Sequence, residues 1–300
     1  MESWIFFVLA SSFIWAVTSF IDKIVISKGY VKSPYVYIVL NGLMNVLIVF
    51  FLPFFGFQPL TIMQLLSALL FGIFMSAGII AYYKAVEHDD ISNIVILFQL
   101  EPVLILLFSF VFLGEVLTKS HLIGFVVILA AGLLVSYKKI EGKFKLGKVF
   151  YLMVISGVLI SASYLSIKYL YNTTTFWNAF LWSRLANMCA MLVLLVPSIR
   201  KECVSTFKRI SIKVKGLLGF KMIIDFTSFF VLGFALQAAP ISLVNVIGTS
   251  VIPLVVFFLG LFSSIYFPSI VREQIDLKSI MAKITAIALV VFGIVIINLN

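Results

Sequence analysis

The sequence predicts an all-α integral membrane protein with ten transmembrane helices in two inverted five-helix repeats. Three observations lead there. Of 300 residues, 63% are hydrophobic and 11% charged, with mean hydropathy +1.20, whereas soluble proteins are roughly half apolar and about a quarter charged. The apolar residues gather into ten stretches close to the length of about 20 that crosses the hydrocarbon core as a helix. A basic connector at 137–148 then divides the ten into five and five, and an odd number per half makes the second half enter from the opposite face.

In chain order, span 1 (4–22) carries Ser11, Trp15, Thr18 and Asp22 on one helical stripe, which should face protein or water. The segment before it lacks a basic region and a small-residue cleavage site, so this first run is expected to be retained. Span 2 (34–55) sets Asn41 and Asn45 one turn apart, and span 3 (62–83) aligns Gly72, Ser76 and Tyr83. The run Glu87-His88-Asp89-Asp90 reads as a solvated turn, with Asp90 as N-cap of span 4 (91–113). Within span 4, Glu101 precedes Pro102, whose missing N–H frees a carbonyl and tends to kink the helix. Span 5 (120–137) closes the half with Gly124, Ala131 and Gly132, small residues that permit close helix packing in lipid.

Span 6 (149–170) aligns Gly157, Ser161, Tyr164 and Lys168, a stripe matching that of span 1. Span 7 (176–196) puts Arg184 on a face with Asn187, Met188 and Met191; Arg184 could anchor a substrate carboxylate or phosphate, or tie to Glu101 or Asp225. In span 8 (216–236), Lys221 and Asp225 stand one turn apart, able to pair, with Ser228 continuing the face. Span 9 (241–265) gathers Asn245, Gly248 and Thr249 ahead of Pro253, and span 10 (280–298) offers Ala282, Ala286 and Gly293.

The connectors are short, leaving no room for an extramembrane domain, so function is expected within the bilayer. Most of the 22 Lys and Arg fall in odd-numbered connectors, which the positive-inside rule places in the cytoplasm. Only Lys119 and Lys168 fall on the other side, while Arg184 and Lys221 lie inside spans. Both termini are therefore expected outside, and the two strongest basic connectors, 137–148 and 200–215, share the cytoplasmic face. The net charge of +10 does not mark a nucleic-acid binder, because the basic residues sit between apolar runs. Cys189 and Cys203 stand in unlike contexts, with no CxxC or His neighbour, and are expected inert. With only His88 and His121, no metal site is expected. No cofactor is expected either, and without a GxxxxGK[ST] motif the chain is not a self-contained ATP-driven pump.

An offset of 150 residues aligns Ala85 with Ala235, Glu87 with Gln237, Ile91 with Ile241, Ser92 with Ser242, Leu104 with Leu254 and Phe108 with Phe258. This ordered match indicates duplication, with repeats at 1–140 and 141–300. Between Tyr82 and Tyr137 run Tyr83-Lys84-Ala85, Asp90-Ile91-Ser92, Leu100-Glu101-Pro102, Leu113-Gly114-Glu115, Gly124 and Ala131-Gly132. This block resembles EamA-like proteins of the drug/metabolite transporter superfamily. The second half resembles it more loosely through Gln237, Pro240-Ile241-Ser242, Pro253, Glu273 and Gly293, with Arg184-Leu185 similar to an Arg-Leu common there. The resemblance implies two inverted five-helix repeats around a central cavity and alternating-access transport of small metabolites, often export. It also implies cytoplasmic termini, against the charge bias, and the extra stretch 263–271 leaves Glu273 poorly aligned with Glu115.

A charged side chain in the bilayer needs a cavity or a partner. On that ground, and with an amphiphilic cavity suiting a small organic molecule, the candidate substrate-binding residues are Trp15, Asn41, Tyr82, Tyr83, Glu101, Arg184, Lys221, Asp225 and Asn245. The expected function is a non-enzymatic secondary transporter, an exporter of amino acids or related organic solutes with a proton as candidate coupling ion, in a bacterial or archaeal cytoplasmic membrane. Sugar-phosphate or nucleotide-sugar antiport is the second reading and would want more cations than Arg184 and Lys221. A lipid-handling protein is the third. The remaining expected partner is membrane lipid.

Overall fold

The computed structural model describes residues 3–31, 33–52, 58–86, 100–136, 148–266 and 277–298, and among them it is all α-helical. The helices are α1 (Ser3–Ser27), α2 (Pro34–Met44), α3 (Ile62–Val86), α4 (Leu100–Leu113), α5 (Lys119–Ser136), α6 (Lys148–Thr173), α7 (Phe176–Asn187), α8 (Pro197–Arg209), α9 (Ile212–Ala238), α10 (Ile241–Tyr266) and α11 (Leu277–Ile297). Two of them continue as 3-10 helix, α2 through Asn45–Phe50 and α7 through Met188–Leu195. Six helices among the described residues are long and apolar enough to cross a membrane, and four shorter apolar helices accompany them.

Local chemistry sets the boundaries. Pro34 and Pro197 open α2 and α8 at the helix position that tolerates a missing N–H. The Thr175 and Ser211 side chains accept from the N–H of Asn178 and Val214 to cap α7 and α9. Thr61 and Gln64 form a reciprocal capping box ahead of α3: the Thr61 N–H donates to the Gln64 side chain at 3.0 Å and the Gln64 N–H to the Thr61 hydroxyl at 3.4 Å. Gly29 ends α1 at φ 67°, and the Tyr30 N–H reaches back to Val25 O at 3.0 Å, the six-to-one bond of a left-handed cap. Where α2 turns 3-10, the Asn45 side chain donates to Asn41 O at 2.5 Å, a side-chain bond competing with the regular ladder. The 3-10 form rises about 2.0 Å per residue against about 1.5 Å, so both broken helices reach further per residue.

The surface is inverted relative to a soluble protein. Phe6, Phe13, Phe110, Phe220 and Phe292 point outward, while Ser11, Ser161, Glu101, Arg184, Lys221 and Asp225 are buried. Large exposed apolar area of this kind marks contact with lipid or a partner, and with the apolar helices it identifies a multi-pass membrane protein. The main core joins α1, α3 to α7 and α9 to α11 through Ile5, Phe71, Ile128, Leu170 and Ile247. A second core at one end collects Val25, Val36, Leu40, Cys203 and Leu218.

Packing pairs run across the two halves. Helix α3 packs on α6 as α9 packs on α1, α4 packs on α6 as α10 packs on α1, and α5 packs on α11. The 3-10 continuation of α2 lies against α7, and that of α7 against α2. Gly124 and Gly293 make the α5–α11 contact close: a Cβ on Gly124 would stand 2.8 Å from Gly293 O, and one on Gly293 3.1 Å from Gly124 O.

Three features depart from the expected spans. The 200–215 connector is not plain linker, because α8 occupies most of it, with Cys203 and Thr206 buried. Helix α9 begins at Ile212, earlier than 216, because Ser211 supplies the cap. Spans 2 and 7 are not uniform α-helices but end in 3-10 turns. Residues 91–99 of span 4, the Glu87–Asp90 run and Glu273 lie outside the described residues.

Candidate functional site

Glu101 enters the core one residue before Pro102, on the first turn of α4, and is 4% exposed. Asn245, on α10 of the other half, donates from Nδ2 to Glu101 Oε1 at 2.9 Å. The Ser161 hydroxyl of α6 points at the Glu101 backbone oxygen at 3.5 Å. The Asn245 side-chain oxygen is buried and, among the described residues, has no hydrogen-bond partner. Three helices thus meet at Glu101, α10 at its carboxylate and α6 at its backbone oxygen.

Among the described residues, Arg184 on α7 is the largest fully buried side chain, at 1% exposure. Its guanidinium lies 4.4 Å from the centroid of the Phe229 ring and 5.6 Å from those of Phe71 and Phe180, an aromatic cage favourable to a cation. It donates to Asn45 Oδ1 and to Ser183 Oγ, both at 3.4 Å. The expected tie of Arg184 to Glu101 or Asp225 does not form: among the described residues no carboxylate lies within 4 Å of it, because Asn245 engages Glu101 and Lys221 engages Asp225. Tyr164 of α6 is buried on the same helix as Ser161, one turn away. Trp15 is half-buried and packs on Phe229 with centroids 5.3 Å apart. Asn41 reaches Arg184 only through Asn45, which its carbonyl holds.

A second cluster is separate. Lys221 Nζ donates to Asp225 and stands 3.4 Å from Asp22 Oδ2 of α1. The pairing expected from the spacing of Lys221 and Asp225 is therefore present, enlarged by Asp22 to two acids around one lysine. Tyr37 of α2 stacks on Tyr83 of α3 at 5.9 Å, and Tyr82 meets Tyr83 edge-on at 5.3 Å. Tyr37 and Tyr83 belong to the same apolar cluster as Ile21 and Met222, the chain neighbours of Asp22 and Lys221. The Asp22 Oδ1 and Tyr37 hydroxyl are buried and, among the described residues, without a hydrogen-bond partner. The Ser228 hydroxyl continues this face of α9 and donates to Ser11 O at 2.9 Å, tying α9 to α1.

A third arrangement fixes the α9–α10 turn. Lys168, expected on a polar stripe, donates to Leu236 O at 2.6 Å and Ala239 O at 2.7 Å at the end of α9. The Ile241 N–H at the start of α10 donates to the Glu115 carboxylate at 3.0 and 3.2 Å. Cation at the C-terminus and anion at the N-terminus both suit the helix dipoles.

The nine candidate residues therefore divide. Glu101 pairs with Asn245, and Arg184 sits in its aromatic cage with Trp15 and Asn41 one contact away, while Lys221 and Asp225 pair and Tyr82 and Tyr83 meet edge-on. Asn45, Tyr164 and Asp22 lay on the polar stripes but are more central than their spacing indicated. Phe71, Phe180 and Phe229 carried no signal, since an aromatic residue in an apolar run gives no hint of what it faces.

Residues 2–137 match the model of the EamA-like transporter family, a family of the drug/metabolite transporter superfamily. No curated protein matches the chain. Among solved structures, a crystal structure of another protein is similar at TM-score 0.69 and 15% identity, over 99% of this chain and 99% of that one. The chain therefore shares a whole-chain fold with that protein, and its first half carries an EamA-like transporter segment.

Proposed function

We propose, from the EamA-like match over residues 2–137, that the chain is a secondary transporter exporting zwitterionic metabolites such as amino acids by alternating access. The observation that carries the reading is that two opposite charges, Glu101 and Arg184, are both buried and each is held by neutral groups instead of by the other. A buried charge costs several kcal/mol unless compensated. Here each retains bonding capacity complementary to one end of a zwitterion: Glu101 and the unpartnered Asn245 oxygen to an ammonium, Arg184 to a carboxylate. Sugar-phosphate antiport is less well supported, because Lys221 is already committed to Asp22 and Asp225.

The reading includes ten spans, six long and four short, in two inverted repeats at 1–140 and 141–300. The reciprocal helix packing supports duplication, as do Pro102 and Pro253 in corresponding helices α4 and α10. Glu101 and Asn245 join those two helices, so a site there would be exposed alternately as the repeats rock. Within this reading the second cluster handles the coupled proton, exchanged when Asp225 separates from Lys221.

Uptake by purified protein in liposomes tests it, with pools of amino acids, nucleosides and sugar phosphates presented with and without a pH gradient. Flux confined to the amino-acid pool and dependent on the gradient is expected. Flux of sugar phosphates alone would transfer the assignment to the second reading.

A further inference from the structure

Helix α8 and its surroundings take no part in the proposed transport site, yet they form a cleft of about 450 Å³, a volume typical of small-molecule sites. One face of α8 lines it: Arg200, Cys203, Val204, Phe207 and Lys208 recur at i, i+3, i+4, i+7 and i+8, the repeat that gathers residues on one side of a helix. Cations stand at both ends of this face and apolar groups between them. Lys215, at the start of α9, adds a third cation, and Leu194 of the 3-10 continuation adds apolar wall. Among the described residues, none of the three cations is paired with a carboxylate.

The surroundings of the cleft have the character of a membrane–water boundary. Helix α8 links the end of one apolar segment to the start of the next, and the flanking Leu195, Val196 and Ile212 are 77%, 46% and 79% exposed. Apolar side chains so exposed beside a run of Lys and Arg mark the boundary between hydrocarbon and headgroups. An amphiphile with an anionic head fits both features: its apolar part covers the largely apolar wall, and its head lies among three exposed cations. We propose that this cleft binds one anionic phospholipid, its phosphate held by Arg200, Lys208 and Lys215 and its upper acyl chain against Leu194, Val204 and Phe207.

The test is native mass spectrometry of protein transferred from mixed vesicles of phosphatidylglycerol and phosphatidylcholine. Preferential retention of one phosphatidylglycerol is expected. Each cation near an anionic surface contributes about fivefold, so Arg200→Gln and Lys215→Gln should each lower the preference about fivefold. The triple variant with Lys208→Gln should abolish it. All three residues are exposed, so the single variants should fold and decide the matter even where the triple variant does not. Equal retention of the two lipids, unchanged preference in the single variants, displacement by millimolar inorganic phosphate, or occupancy of the cleft by a second copy of the chain would each overturn the proposal.

Discussion

Glu101 and Arg184 are the residues on which the functional reading turns, and their surroundings predict different responses to substitution. Asn245 donates to Glu101 at 2.9 Å and can reorient to serve a neutral amide, so Glu101→Gln should fold normally and lose transport. Arg184→Lys keeps the charge but loses the planar fork that stacks on Phe229 and meets a carboxylate in two places. Losing a charge-assisted hydrogen bond of about 1.5–3 kcal/mol should lower apparent substrate affinity tenfold to about a hundredfold, measured as the half-saturating concentration in liposome uptake. In the second cluster, Asp225→Asn leaves Asp22 at 3.4 Å from Lys221, so the cation keeps a partner. Folded protein in the membrane with transport abolished is expected, whereas full activity would remove Asp225 from the mechanism. Lys221→Met is a harsher change, since it leaves Asp22 and Asp225 facing each other uncompensated; broken buried pairs cost about 3–5 kcal/mol, and a loss of detergent-stable protein on size-exclusion chromatography checks it.

At the scale of elements, the Gly124–Gly293 contact gives the sharpest stability prediction. A Cβ at either position meets the backbone oxygen of the facing glycine, and backbone cannot move aside as a flexible side chain can. Gly293→Val should therefore separate α5 from α11, costing about 1–3 kcal/mol by overpacking, read as a lower melting temperature in detergent. Both glycines were visible in the sequence as small residues of spans 5 and 10, although nothing there indicated that they face each other. The existence of the apolar helices was legible, because a run of apolar residues of spanning length has few alternatives in lipid. Helix type was not: the 3-10 stretches begin at Asn45 and just after Asn187, whose effect depends on which backbone groups lie near. Helix α8 was hidden because its Lys and Arg read as a charged connector, and only the spacing of Cys203, Val204 and Phe207 betrays an apolar face.

At the scale of the whole molecule, reciprocal packing of α3 on α6 and α9 on α1 joins the halves into one bundle, placing Glu101 from one half against Asn245 from the other. The sequence exposed the polar residues within each span but not the separation into two clusters, because the crossing of the helices decides which stripes meet. Asp22 illustrates this: it closes a stripe of span 1, and its role follows only from the approach of α9 with Lys221. The central claim is that the buried site reads both ends of a zwitterion. The most direct measurement is flux into liposomes of three matched solutes: a neutral amino acid, the same skeleton without its amine, and the same skeleton without its carboxyl. The account predicts that the wild type carries the amino acid and discriminates against both analogues, and that Glu101→Gln ends that flux. Equal transport of all three solutes, or amino-acid flux unchanged in Glu101→Gln, would contradict it.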